Sequence, residues 1–208
     1  MTLIAEDLLL LCFNDEIGNQ LQQSYLNEAL GAALLAEVDL TGALRLVKPG
    51  RFKPARVQIA EGTPTPSDPL LGRALAAVAE ADRNSWELVK LIGTKALKQE
   101  LLEQLVDRGI LRSDKKRVLG LVSINLWPAV DSSSKDSLYR ELSAVLLNGQ
   151  EPTPRMRVIV ALLYALERAH STINPDGTPA RHVRRRAKQL SDGVWAAETV
   201  RLIRSTTV

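Results

Sequence analysis

Two lysines, one cysteine and a few acids are the residues whose types and spacing invite chemistry. Lys95 and Lys98 stand three residues apart just after Thr94, a residue type that starts helices, so both ammoniums fall on one side of a first helical turn. Free backbone N–H groups and the helix dipole would add to that charge, which makes the pair a candidate phosphate site; a solvated lysine pair is the alternative. Cys12 and His170 could be paired as nucleophile and base, but Cys12 lies in an apolar run, where a free thiol packs as a small hydrophobe. Asp7, Asp15 and Glu16 could suggest a metal site, yet capping and turn chemistry explains them equally well. Gly149 and Gly177 are isolated, so no glycine-rich phosphate loop is present, and the chain's 2 His show no zinc-binding spacing. The expectation is therefore no catalytic residue, no cofactor and no metal.

Two further groups of residues suggest a surface role. Val122, Ile124, Leu126 and Trp127 form an alternating apolar run that ends at Pro128 and follows the basic segment Lys115-Lys116-Arg117. A hairpin with Trp near its tip can enter a lipid interface, or the same strand can pack on the domain or on another subunit. Arg181, Arg185 and Lys188 share one face of a later helix, which is either a solvated face or a surface drawn to anionic membrane.

Composition narrows the classes. The 208 residues suit a single domain over 1–208, with 45% hydrophobic and 25% charged residues as in soluble globular chains. One Cys excludes an intrachain disulfide framework, and 4% aromatics argues against a wide base-stacking platform. The net charge of +3 permits an anionic partner without demanding one. Leu8–Phe13, an apolar run near the start, is far short of the roughly 20 residues of a membrane span. It also lacks the basic lead-in of a signal peptide. A reducing, cytoplasmic setting follows, or the cytosolic face of a membrane.

The elements that must position these residues are mostly helical. Thr2 is placed to cap a first helix that is apolar on most faces and so belongs at the centre. Asn14–Asn19 reads as a turn. Leu26, Leu30, Ala33 and Leu34 mark a second helix, ended by Gly42. Ala43–Val47 and Arg56–Ala60 read as a hairpin, and Glu61–Pro66 as an exposed loop. Asp68-Pro69 opens a helix, Trp86–Ile92 forms a short one stopped by Gly93, and Thr94 starts another that ends near Gly109. Ile110–Leu111 and Val118–Leu126 read as extended, joined by the basic turn Ser113–Arg117. Helices follow over Lys135–Leu147, Pro154–His170, Pro179–Leu190 and Val194–Arg204; the second of these is apolar nearly all round and should be the core helix. The fold class is mainly α: a compact helical domain around a buried central bundle, with two small β-hairpins.

Thr2–Leu11, Gly31–Leu44 (GAALLAEVDLTGAL), Trp86-Glu87-Leu88, Leu105–Leu111 (LVDRGIL) and Trp195-Ala196 occur in this order and together resemble the Golgi phosphoprotein 3 family in its short bacterial form. The resemblance implies a peripheral membrane protein without catalytic activity that recognises phosphatidylinositol 4-phosphate, with a hydrophobic hairpin aiding membrane association or self-association. Eukaryotic members serve as adaptors for Golgi glycosyltransferases, so a homo-oligomer and a membrane-enzyme client join an anionic lipid as implied partners. The family's headgroup site uses a Trp, an Arg and two basic residues three apart. Lys95 and Lys98 match the last two, while Gln22 and Gly31 stand where the Trp and Arg would be. Weak discrimination among anionic lipids is the consequence.

Two other classes compete. The helix after Thr94 followed by a basic hairpin resembles a winged-helix nucleic-acid reader. However, Gln99, Glu100, Glu103 and Gln104 give that helix a poor phosphate-contacting face. A cytosolic scaffold binding only protein is the third reading. Liposome flotation and salt-dependent DNA retention separate them.

Overall fold

A computed structural model describes residues 2–13, 24–47, 55–80, 83–118, 122–173 and 178–206. Ile4–Leu11 forms α1, and all eight of its residues are buried. A helix with leucines on every side has no face to offer water, so it takes the centre. Its start differs from expectation. Leu3, not Thr2, is the N-cap and has no side chain to accept a hydrogen bond. The Glu6 carboxylate takes the Leu3 N–H at 2.7 Å instead, and the Thr2 hydroxyl donates to Asp7 at 2.7 Å.

Among the described residues α2 (Leu26–Leu40) follows, then β1 (Leu44–Val47), β2 (Arg56–Ile59), α3 (Pro69–Ala79), α4 (Ser85–Ile92) and α5 (Lys95–Asp107). Next come β3 (Asp114–Val118), β4 (Val122–Leu126), α6 (Ser133–Leu147), α7 (Pro154–Ala165), α8 (Ala169–Ile173), α9 (Ala180–Ser191) and α10 (Trp195–Thr206). The mainly helical architecture with two small antiparallel hairpins is as expected. The turn expected at Asn14–Asn19 lies outside the described residues. Helix α2 is the hub, packing on α1, α3, α4, α5, α7 and α10. Its small residues Ala29, Gly31, Ala32, Ala33 and Ala36 let several helices approach at once. Helix α3 starts as its sequence dictates: Asp68 Oδ1 accepts the N–H groups of Leu70 at 2.8 Å and Leu71 at 3.3 Å, with Pro69 at the first helical position.

The expected core helix is α7, where Leu162 and Leu163 are 0% exposed. It ends earlier than expected. Glu167 adopts a left-handed φ of 59°, the Arg168 N–H returns to the Leu163 carbonyl at 2.8 Å, and the chain restarts as α8. The break lets α8 lie against α9. Neither Gly nor Pro marks it in the sequence, which is why the apolar pattern runs straight through.

The first hairpin pairs Leu44 with Ile59 and Val47 with Arg56, as the alternation indicates. The second is shifted. Asp114-Lys115-Lys116-Arg117 is not the turn but most of strand β3, pairing Asp114 with Leu126, Lys116 with Ile124 and Val118 with Val122. Ile110–Leu111 is not a strand; Leu111 makes a single bridge to Ala129. Trp127 therefore sits at the base of the hairpin, not near its tip, and is 7% exposed within the core. A run of charges reads as a loop by composition, but a two-stranded ribbon accepts alternating charges wherever one face meets water.

The interior also holds charge. Glu6 is 0% exposed and is paired with Arg108 at the end of α5. Arg155 of α7 forks between Asp7 at 2.6 Å and Glu37 at 2.9 Å, and also donates to the Thr2 carbonyl at 2.5 Å. Glu37 further accepts the Ile4 N–H at 2.7 Å. Burial pushes the Glu37 carboxyl above its usual range, against the opposing pull of that N–H and of Arg155.

Candidate functional site

The lysine pair is held by the junction of two helices. Asn84 and Glu87 start α4 with reciprocal hydrogen bonds, Glu87 N–H to Asn84 Oδ1 at 3.0 Å and Asn84 N–H to Glu87 Oε2 at 3.1 Å. Gly93 ends α4, its N–H returning to the Val89 carbonyl at 2.8 Å. Thr94 then caps α5, its hydroxyl oxygen accepting the Leu97 N–H at 3.1 Å. Lys95 and Lys98 occupy the first turn, with Lys95 exposed and Lys98 half-buried. Burial pushes the Lys98 ammonium below its ordinary value, and the charge of Lys95 lowers it further. Two cations within Coulombic reach at a helix N-terminus make a local excess of positive potential.

Gly31 lies under this junction. A Cβ built on it would meet the Gly93 nitrogen at 2.6 Å, the Gly93 Cα at 2.8 Å and the Val89 carbonyl oxygen at 2.8 Å. A Cβ on Gly93 would in turn collide with the Asn27 carbonyl. The two glycines let α2 and the α4–α5 junction touch backbone to backbone. Gly31 is thus near the lysines in the fold, but as a contact point with no room for a side chain. Gln22 lies outside the described residues.

Beside the first turn of α5 runs a cleft of about 390 Å³, whose wall includes Leu34, Leu70, Leu91, Thr94 and Leu97. Of its charges, Arg73 and Glu100 are paired with each other at 2.5 Å, and Glu80 also lines it. Leu91 stands 47% exposed at this cleft, which neither Lys95 nor Lys98 lines.

The remaining sequence candidates lie elsewhere. Lys115 is exposed on β3, and Leu126 is half-buried opposite Asp114. The side chains of Lys116, Arg117, Val122 and Ile124 lie outside the described residues. Arg181, Arg185 and Lys188 are exposed on α9, which packs on α6, α7 and α8, whereas α5 packs on α1 and α2. The structure therefore unites Lys95, Lys98 and Gly31 and sets the α9 cations on a different set of helices.

Cys12 is buried at the end of α1, and Asp7 is held by Arg155. On α5, Gln99 donates to Glu103 at 2.8 Å and Glu100 is paired with Arg73, so the face that would meet phosphate in a winged-helix reader is acidic.

Sequence reasoning missed the buried ion pairs. Two adjacent acids inside a run of leucines were the available signal, since an unpaired interior carboxylate is too costly to keep. The cations that answer them lie 102 and 148 residues away, beyond the reach of any local pattern.

A family model described as Golgi phosphoprotein 3 matches residues 4–206. No curated protein matches the chain.

Proposed function

The chain belongs to the Golgi phosphoprotein 3 family, and on that premise we propose that it is a non-enzymatic peripheral membrane protein. It binds an anionic lipid headgroup, phosphatidylinositol 4-phosphate or a related one, at the N-terminus of α5 on the cytosolic face of a membrane. The supporting observation is the coupling of Lys95 and Lys98. The partly buried Lys98 ammonium is depressed by its surroundings and by Lys95. Such an arrangement costs the free protein some electrostatic energy that a bound phosphate relieves. The α5 N-terminus adds its dipole to the same spot.

The reading also limits specificity. An Arg at position 31 has no space against Gly93, so the headgroup is held by lysines, which act as point charges, rather than by a bidentate fork. Each lysine near an anionic surface contributes about 1 kcal/mol, enough for reversible attachment when several act together.

Liposome flotation across a lipid panel tests this. Lys95→Glu with Lys98→Glu should abolish flotation on anionic vesicles; unchanged flotation would remove these lysines from the site. Nanomolar selectivity for one phosphoinositide would overturn the proposed weak discrimination.

A further inference from the structure

We propose that a second anion site lies between α7, α9 and α10, built for one multiply charged phosphorylated group and independent of the α5 lysines. The cleft there encloses about 490 Å³, within the range of small-ligand pockets. Arg184, Arg185 and Lys188 enter its wall from α9, and Arg201 and Arg204 enter from α10. Lys188 stands four residues after Arg184 and three after Arg185, and Arg204 three after Arg201, so each helix presents its cations along one face. Against these five cations the wall carries one carboxylate, Glu167.

The bonding of these groups separates structural charge from available charge. Glu167 is committed to Arg204, which also donates to the Ala165 carbonyl at 2.9 Å. The Arg201 guanidinium lies 5.4 Å from the centre of the Tyr164 ring, which holds it over that aromatic face. The side chains of Arg184, Arg185 and Lys188 have no hydrogen bond or ion pair among the described residues. Arg186, on the same helix but turned away, is engaged in full, reaching the Gly149 and Gln150 carbonyls at 3.4 Å and Glu151 at 3.1 Å. No Asp or Glu occurs within α9. A concave wall of like charge focuses potential into the cleft, and a compact polyanion relieves the repulsion that the free protein carries. Guanidinium edges suit phosphate oxygens better than a monovalent ion does, because one fork can meet two oxygens. A polyphosphate chain and a phosphorylated lipid headgroup share this chemistry.

Calorimetric titration with sodium tripolyphosphate, at low and at raised salt, tests the site. The wild-type protein should show saturable binding that weakens with salt. The triple change Arg184→Gln, Arg185→Gln, Lys188→Gln should weaken it by roughly tenfold or more, as loss of phosphate contacts does. Arg201→Gln, on the opposite wall, should weaken it by a smaller factor and guards against a triple variant that fails to fold. The α5 pair is itself a phosphate site, so Lys95→Gln with Lys98→Gln removes that contribution and should leave a saturable component that the α9 triple change weakens. The proposal fails if no saturable binding occurs, if neither α9 nor Arg201 variants alter the affinity, or if the α5 pair removes it instead. Flotation of the Lys95→Gln, Lys98→Gln protein on phosphatidylcholine vesicles containing phosphatidylinositol 4-phosphate separates the sources. Flotation that tripolyphosphate blocks supports the site and assigns it a lipid-borne phosphate. Absent flotation with tripolyphosphate binding intact supports it with a free phosphorylated ligand.

Discussion

Two charged regions of this molecule are built on opposite principles. Around α1, Glu6 is answered by Arg108, while Asp7 and Glu37 share Arg155. In the cleft between α9 and α10, Arg184, Arg185 and Lys188 face solvent with no answering carboxylate among the described residues. The first arrangement leaves no valence for anything from outside. The second leaves cations open to water and salt, which a bound anion can pair. Charge answered within the chain serves the fold, and charge left unanswered in a concavity is available for binding.

The strongest way to break the contrast is to remove an interior cation. Arg155→Ala leaves the Asp7 and Glu37 carboxylates beside each other without their guanidinium, and should cost about 3–5 kcal/mol in a urea unfolding titration. A loss below about 1 kcal/mol would mean that the pairs are not structural. The deficit should narrow in acid. A carboxyl whose folded pKa lies above its unfolded one, as at Glu37, takes its proton more readily when native, so its contribution to stability rises as pH falls through that raised value.

Next in size is the glycine under the α4–α5 junction. Gly31→Arg must push Gly93 and Val89 apart and should cost about 1–3 kcal/mol or more, as overpacking does, without tightening headgroup binding. A stable variant with raised lipid affinity would show that the crossing opens and that the missing Arg can be restored.

Removing the surface lysines should give the inverse result. Lys95→Gln with Lys98→Gln should change stability by less than about 0.5 kcal/mol, measured by the same titration, while flotation on anionic vesicles falls. A large loss of stability would make the lysines structural and erase the contrast.

The smallest effect is a pH dependence. Lys98 is depressed by burial and by Lys95, so it sheds its proton at lower pH than an ordinary lysine. Its phosphate partner is fully ionised above about pH 8, given a second pKa near 6. Attachment should therefore weaken as pH rises through the lowered Lys98 value, and Lys98→Gln should flatten that fall. For stability alone the sign is opposite: a base with a depressed folded pKa costs stability while protonated, and the cost disappears as pH rises above it.

Much of the fold was legible because its signals are local. The all-round leucines of α1 and the apolar wall of α7 required burial, and Asp68-Pro69 placed a helix start by capping chemistry. The second hairpin was misplaced because Lys115-Lys116-Arg117 is a run of cations with no apolar alternation, so β3 looked like the turn. The break at Glu167 was hidden because its left-handed residue is neither Gly nor Asn. At the site, helical periodicity alone put Lys95 and Lys98 on one side.

By itself, then, the sequence determined which segments are helical, which of them are central, and that Lys95 and Lys98 stand on one helical turn. All of these follow from interactions within a few residues along the chain. Only the tertiary structure decided that Trp127 packs into the core, that position 31 admits no side chain, and which cations are answered. Arg155 meets Asp7 across 148 residues while Arg185 makes no ion pair among the described residues, and both outcomes depend on how helices distant in sequence are packed together. Pairing of charges is a property of three-dimensional proximity, and no local pattern encodes it.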